Sequence, residues 1–258
     1  MIMKKIISSD NEKIKFLKKL GDKKARDVSG QFLVENLIII HDAMRAGFVP
    51  VQLFIREDLL NKADEKINFI VEKFPEHFVM NEKVNKYFSS LSTPSGIAGI
   101  FEKQEKEINL EGKIIYLNAI ADPGNLGTIL RTATAFGLKN IIVDEKCADI
   151  FNAKTISAAK DAIFKLNIVK DENLKIFSEI KKVMPVFVTS LEGEVINSKI
   201  FQEEKFCLVL GNEANGVEEK IMKLSDKKMK ISQSREIESL NVAVAAGILF
   251  EKIYNESF

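Results

Sequence analysis

The chain has 258 residues, 46% of them apolar and 29% charged, with a formal net charge of +1. That length is comfortable for two domains, and the composition is ordinary for a soluble globular protein. No run approaches the roughly 20 apolar residues that span a bilayer, since Leu240–Phe250 is broken by Asn241. The N-terminus lacks the long apolar stretch and small-residue cleavage site of a secretory signal. Cys147 and Cys207 are the only cysteines and form no CxxC pair, so they read as buried, reduced thiols of a cytoplasmic protein. His41 and His77 are equally solitary, and no metal site is expected.

The overall charge does not mark a nucleic-acid binder, but its distribution is uneven. Residues 1–29 hold nine Lys/Arg against four Asp/Glu, while 30–110 hold nine against twelve and 111–258 twenty against twenty-one. Residues 10–28 read as a short amphipathic helix, with Ile14, Leu17 and Leu20 on one side and lysines around it. That lysine-rich segment either approaches phosphates or forms a solvated helix face.

From residue 31 the pattern alternates. Phe32–Val34 reads as a strand, Leu37–Ala46 as a helix ending at Gly47, and Val51–Ile55 as a strand. A charged helix over Asp58–Lys73 follows, then a strand near His77–Met80, a helix near Glu82–Leu91 and a strand at Gly96–Phe101. This order implies a small α/β layered domain over residues 1–104, with the polar stretch Glu102–Gly112 as linker. A second series fills residues 112–258, with strands at Ile114–Leu117, Asn140–Val143, Ile163–Val169, Val186–Thr189, Cys207–Leu210 and Lys228–Ile231. Short strands apolar on both faces imply a largely parallel sheet covered by helices. The last helix, about Leu240–Tyr254, is apolar nearly all round at its start, as in a helix buried in a core or against another subunit.

Three stretches carry polar or small residues directly after apolar runs. In Asp122-Pro123-Gly124-Asn125-Leu126-Gly127-Thr128 a strand turns sharply into a helix, whose exposed N–H groups favour an anion. Leu126, Ile129, Leu130 and Ala133 fall on its core face, leaving Thr128, Arg131 and Thr132 for another. In Gly211-Asn212-Glu213-Ala214-Asn215-Gly216 the glycines permit close backbone approach or positive φ. Val217-Glu218 replaces the Lys-Ser/Thr of a P-loop, which excludes nucleotide triphosphate hydrolysis, and no G-x-G-x-x-G follows a strand. In Glu238-Ser239-Leu240-Asn241-Val242-Ala243 a helix opens, with Glu238 or Ser239 as expected cap.

In this order the three stretches, Asn118–Arg131, Leu208–Val217 and Ile231–Gly247, resemble the motifs of the SpoU/TrmH family of RNA ribose methyltransferases. The likeness covers residues 112–258, and residues 30–101 resemble that family's N-terminal substrate-binding domain through Phe32-Leu33-Val34-Glu35 and Thr93-Pro94-Ser95-Gly96-Ile97. The resemblance implies a SPOUT fold: an α/β domain with a deep trefoil knot, acting as a homodimer. It implies transfer of a methyl group from S-adenosylmethionine to a ribose 2'-hydroxyl of structured RNA, ribosomal RNA before tRNA, with no metal and no membrane. By motif position, Asn125 and Arg131 face the RNA, Glu213 is the motif 2 acid, and Ser239 and Asn241 are the polar residues of motif 3. Leu210, Gly211, Gly216, Ile231 and Leu240 would hold the cofactor, with Thr189 and Ser190 at the preceding strand end.

A guanidinium with a pKa above about 12 rarely releases a proton, so Arg131 reads as a phosphate clamp that also stabilises developing oxyanion charge. Glu213 and Asn125 would orient the site, and a phosphate oxygen or water would take the proton. The chain departs from the family pattern at Asn36, at Ser157-Ala158-Ala159-Lys160-Asp161 and at Ile231-Ser232-Gln233-Ser234-Arg235. Those departures leave a noncatalytic RNA-binding protein of the same fold as the alternative.

Overall fold

The computed structural model describes residues 4–234, 236 and 238–256. The chain divides into two compact units. One holds the chain up to Gln104 together with Phe151–Ser157, the other Glu105–Ile150 and the chain from Ala158 onward.

The first unit is built on five strands: β1 (Lys4–Ile6), β2 (Gln31–Val34), β3 (Gln52–Arg56), β4 (Phe78–Met80) and β5 (Ile97–Glu102). They run in the order β1-β4-β3-β5-β2. β5 is antiparallel to both its neighbours, while β3 and β1 lie parallel to β4. The edge strand β1 has no counterpart in the sequence reading, because three residues with only Ile6 buried give no period to detect. Its helices are α1 (Glu12–Lys19), α2 (Lys23–Ser29), α3 (Leu37–Arg45), α4 (Glu57–Leu60), α5 (Glu65–Lys73) and α6 (Glu82–Phe88).

Two expected helices are each divided by an aspartate. Asp22 leaves the helical conformation and accepts from the Lys24 N–H, so residues 10–28 form two helices instead of one. Asp64 does the same for α5, accepting from Lys66 and Ile67, and so ends the run predicted over Asp58–Lys73. In both places a carboxylate satisfies N–H groups that a continuing helix would have bonded itself. Ile14, Leu17 and Leu20 are buried against Phe54, Met80, Ala98 and Ile100. Lys18, Lys19, Lys23 and Lys24 are exposed, but Arg26 is not part of that basic face. It is 3% exposed and donates from Nη1 to the Leu20 carbonyl at 2.7 Å, which satisfies an orphan carbonyl at the end of α1.

The second unit carries six strands: β6 (Lys113–Leu117), β7 (Asn140–Asp144), β8 (Asn167–Asp171), β9 (Val186–Val195), β10 (Phe206–Leu210) and β11 (Lys227–Lys230). Their order is β11-β9-β10-β6-β7-β8 and every pairing is parallel. The connecting helices are α7 (Pro123–Ala135), α8 (Ala153–Ala159), which belongs to the first unit up to Ser157, α9 (Ala162–Lys165), α10 (Lys175–Val183), α11 (Glu219–Leu224) and α12 (Val242–Asn255), with a 3-10 turn at Ser198–Gln202. The strand expected at Ile163–Val169 is a short helix followed by β8; so short an apolar run fits either period. Tyr116 on β6 donates its hydroxyl to Asp171 at 3.0 Å, and Asp171 also accepts the Ile176 and Phe177 N–H groups at the start of α10. Cys207 is buried and Cys147 only half-buried, both free thiols that desolvation pushes above the usual range. No helix among the described residues is long and apolar enough to cross a membrane.

Ile14 is fully buried beneath the first sheet. Ile14→Ala is expected to cost about 2–5 kcal/mol, the range for truncating a core aliphatic side chain, and chemical denaturation followed by circular dichroism measures it.

Candidate active site

β6 and β10 are adjacent and in register, with Leu210 opposite Leu117, so the loops that follow them leave the same end of the sheet. In open α/β folds that end is where ligands bind. The loop after β6 leads into α7, which Asp122 caps by accepting from the Asn125 N–H at 2.8 Å. Asn125 is therefore free to use its side chain elsewhere.

It uses it to join the three motif stretches. Asn241, not Glu238 or Ser239, caps α12, its Oδ1 accepting from Ala243 N at 2.9 Å and Val244 N at 3.3 Å. With its oxygen committed to the helix, Asn241 must present Nδ2 outward, and this donates to Asn125 Oδ1 at 3.1 Å. Asn125 in turn must present Nδ2, which donates to Glu213 Oε1. Each amide has one acceptor end and one donor end, so the helix cap fixes the sense of the whole series and leaves the carboxylate as terminal acceptor. Asn125 and Glu213 are half-buried and Asn241 is exposed, which leaves the series open to a ligand.

Behind it lies a group that sequence reasoning did not assign. Asp144, at the end of β7, is 5% exposed. Its carboxylate accepts from Asn118 Nδ2 at 2.7 Å and from the backbone N–H groups of Ala119, Lys146 and Cys147 at 2.9–3.1 Å. The Ala119 bonds hold that residue at φ 57°, a conformation that costs an alanine about 1–2 kcal/mol. The motif 2 loop is tied to this centre at both ends. Asn118 bonds the Leu210 carbonyl through its N–H at 2.9 Å and accepts from the Glu218 N–H at 2.8 Å. Asn212 donates to the Ala119 carbonyl at 2.9 Å, while its Oδ1 accepts from Ala214 N and Asn215 N, the two residues after Glu213. Lys146 Nζ lies 2.7 Å from Glu218 Oε1 and holds that carboxyl below the ordinary range, with the Asn118 amide adding to the effect.

Leu210 is buried and Gly211 packs so tightly that a Cβ there would stand 2.3 Å from the backbone of Gly216 and Val217. Gly211 thus serves the closure of the loop on itself, sealed by reciprocal Asn212–Gly216 backbone bonds at 3.0 and 2.8 Å. Gly216 takes the positive φ, 67°, and has open space where a Cβ would stand. Ile231 and Leu240 are half-buried and Ser239 is exposed. The Thr189 hydroxyl donates to the Val209 carbonyl at 3.2 Å, and Ser190 Oγ accepts from the Glu192 N–H at 3.2 Å, so both are occupied within the chain. Arg131 is exposed on α7 and makes no hydrogen bond or ion pair among the described residues, leaving its planar fork available. Among the described residues no cluster of His, Cys, Asp or Glu could hold a metal ion.

This parallel-stranded unit, preceded by a smaller α/β unit, has the architecture of solved RNA methyltransferases. The S-adenosylmethionine-bound rRNA methyltransferase of Sinorhizobium meliloti superposes with a TM-score of 0.85 at 26% identity, covering 99% of each chain. The SpoU methyltransferase AviRb of Streptomyces viridochromogenes shares the fold, with a TM-score of 0.82 at 19% identity over 95% of this chain and 98% of its own. Residues 112–251 match the SpoU rRNA Methylase family and residues 11–99 the MRM3-like substrate binding domain. The 23S rRNA (guanosine(2553)-2'-O)-methyltransferase RlmP of Bacillus subtilis is 31% identical over 96% of this chain and 98% of its own length. The chain belongs to the SpoU rRNA methylase family.

Because all four Asp144 partners are donors, Asp144→Asn would turn an NH2 group against at least one of them. A loss of at least about 1–3 kcal/mol is expected, the cost of leaving a buried donor unmatched. Urea denaturation tests it, and an unchanged midpoint would show that the carboxylate does not hold these loops.

Proposed function

We propose that this protein transfers the methyl group of S-adenosylmethionine to the 2'-hydroxyl of a ribose in ribosomal RNA. The observation that carries this reading is the hydrogen-bonded series Asn241–Asn125–Glu213, which unites the three motif stretches. An intact polar series also argues against a noncatalytic RNA binder. The residues fit the cofactor: Gly216 leaves its side of the motif 2 loop bare, and the half-buried Ile231 and Leu240 offer apolar surface with adjacent backbone groups, as an adenosyl moiety requires. Gly211 serves that fit indirectly, by closing the loop.

When bound, the cofactor supplies a methyl group already activated by the sulfonium charge. What the chain must supply is alignment and control of the hydroxyl proton. Glu213, oriented by Asn125, fixes the geometry at the motif 2 loop. Arg131 clamps a phosphate of the RNA beside the reacting ribose and offsets the negative charge that grows on its oxygen. The proton passes to a phosphate oxygen or to water. Ser239 lies in the same motif 3 segment, exposed to an incoming RNA.

The first unit serves as the RNA-binding unit, supported by its match to a substrate binding domain and by the exposed Lys18, Lys19, Lys23 and Lys24. A homodimer is supported by α12, which leaves Val244 52% and Tyr254 42% exposed. The placement of β10 between β6 and β9 supports the trefoil knot. The two free cysteines support a cytoplasmic setting.

Arg131→Lys is expected to lower ribose methylation by at least about tenfold, because lysine keeps the charge but loses the bidentate fork. Cofactor affinity and melting temperature should be unchanged. Mapping 2'-O-methylation of ribosomal RNA from cells with and without the protein identifies the nucleotide, and near-normal turnover of the Lys variant would refute the assigned role.

Truncating residues 1–28 cannot test the basic segment, since it would remove β1 and the buried Ile14 and Leu17. Replacing Lys18, Lys19, Lys23 and Lys24 by Gln leaves the core intact. RNA affinity should fall and its slope against log salt should flatten by about 0.7–0.9 for each phosphate that is no longer neutralised. An unchanged slope would return these lysines to a solvated helix face.

A further inference from the structure

The first unit contains a cavity of about 340 Å³ that the methyl-transfer site does not use, and every residue lining it belongs to that unit. Its volume lies at the lower end of small-molecule pockets, which run from roughly 300 to 1,000 Å³. Leu33, Ile39, Phe88, Leu91 and Phe151 supply apolar and aromatic wall. Polar residues interrupt that wall, among them the buried Arg26, which bonds the Leu20 carbonyl, and Glu35, Asn36, Ser90 and Asn152. Glu35 Oε1 accepts from both the N–H and the hydroxyl of Ser90, each at 3.2 Å, and these bonds set the orientation of the carboxyl. Glu35 Oε2 is buried without a hydrogen-bond partner. Such an orphan acceptor is rare in a folded chain and costs more than it would if paired. Leu20 and Gly21, which line the cavity, stand in sequence between the exposed pairs Lys18, Lys19 and Lys23, Lys24, and the exposed Lys154 lines it as well.

Cations outside, apolar and aromatic wall within, and an unmet acceptor beside it form a specific combination. A small anion would leave the apolar wall unfilled, and an acyl chain would leave that acceptor unmet. A nucleotide satisfies all three: phosphate at the lysines, ring against the wall, ring-edge donor to Oε2. Single-stranded RNA bases are read in this way, by stacking and by bonds to their edges. We propose that the cavity receives one unstacked nucleobase of the RNA, and that Glu35 selects a base carrying an exocyclic amino group. Uracil is disfavoured because two carbonyl oxygens flank its single edge donor and would face the carboxylate. The inference rests on RNA being the substrate.

CMP and UMP differ at this edge by an amino group against a carbonyl, and they separate the possibilities in the full-length chain. Saturating S-adenosylhomocysteine keeps nucleotides out of the cofactor site. The chain has no tryptophan, so Leu91→Trp provides a single indole at the cavity wall. CMP should quench its fluorescence at about tenfold lower concentration than UMP, since a hydrogen bond to a charged group contributes about 1.5–3 kcal/mol. Glu35→Gln in the same background should abolish that preference. Isothermal titration of the wild-type chain with CMP and UMP repeats the comparison without relying on the Trp substitution. Equal affinities, no binding of either nucleotide, or a preference that survives Glu35→Gln would overturn the proposal. Cofactor binding and ribose methylation by the wild-type chain are read separately. Their presence with no base preference sinks the pocket alone, and their absence beside a clear base preference sinks the methyl-transfer reading alone.

Discussion

Four N–H groups converge on the carboxylate of Asp144, and the catalytic unit is organised around that convergence. Three belong to backbone that has left a strand and cannot bond within the sheet. A carboxylate has enough lone pairs to serve them all. Once Ala119 is pinned, its carbonyl faces Asn212, and Asn212 shapes the turn that carries Glu213. A residue that would touch neither cofactor nor RNA thus determines where the motif 2 acid stands. The Lys146–Glu218 pair closes the far end of the same loop, at a half-exposed position where solvent screening keeps its own contribution small.

The divided roles of the two motif 2 glycines follow from this arrangement. A loop anchored at both ends by Asn118 has to double back sharply, and its backbone passes so close to itself that only hydrogen fits at Gly211. Gly216 then takes the left-handed turn and leaves one side of the loop bare. Rigidity comes from the first glycine and access from the second.

The motif strings, both alternating strand–helix series and the parallel sheet were legible because each rests on local pattern. The motif residues Asn125, Glu213 and Asn241 were legible as members of those strings, but the bonds among them join positions 88 and 116 residues apart, which no local period encodes. Asp144 was hidden for the same reason: it is one more acid after an apolar strand until β7 is placed beside β6. The misplaced strand at Ile163–Val169 shows the opposite limit, since a short apolar run interrupted only by Lys165 and Asn167 fits a helical turn as well as a strand. Arg26 shows a third: an arginine among lysines reads as surface charge, and only the fold reveals a carbonyl in need of a donor.

On the proposed mechanism, the double duty of Asn241 sets apart what stabilises this protein from what makes it work. Aspartate or serine could start α12 about as well as asparagine, because the helix asks only for an oxygen. Neither can keep that oxygen on the helix and offer Asn125 an equivalent amide donor. A survey of tolerated residues ranked by folding alone would therefore find this position permissive, while one ranked by turnover would find it nearly invariant. Where those two rankings part company, the direction of a hydrogen bond matters and not only its existence.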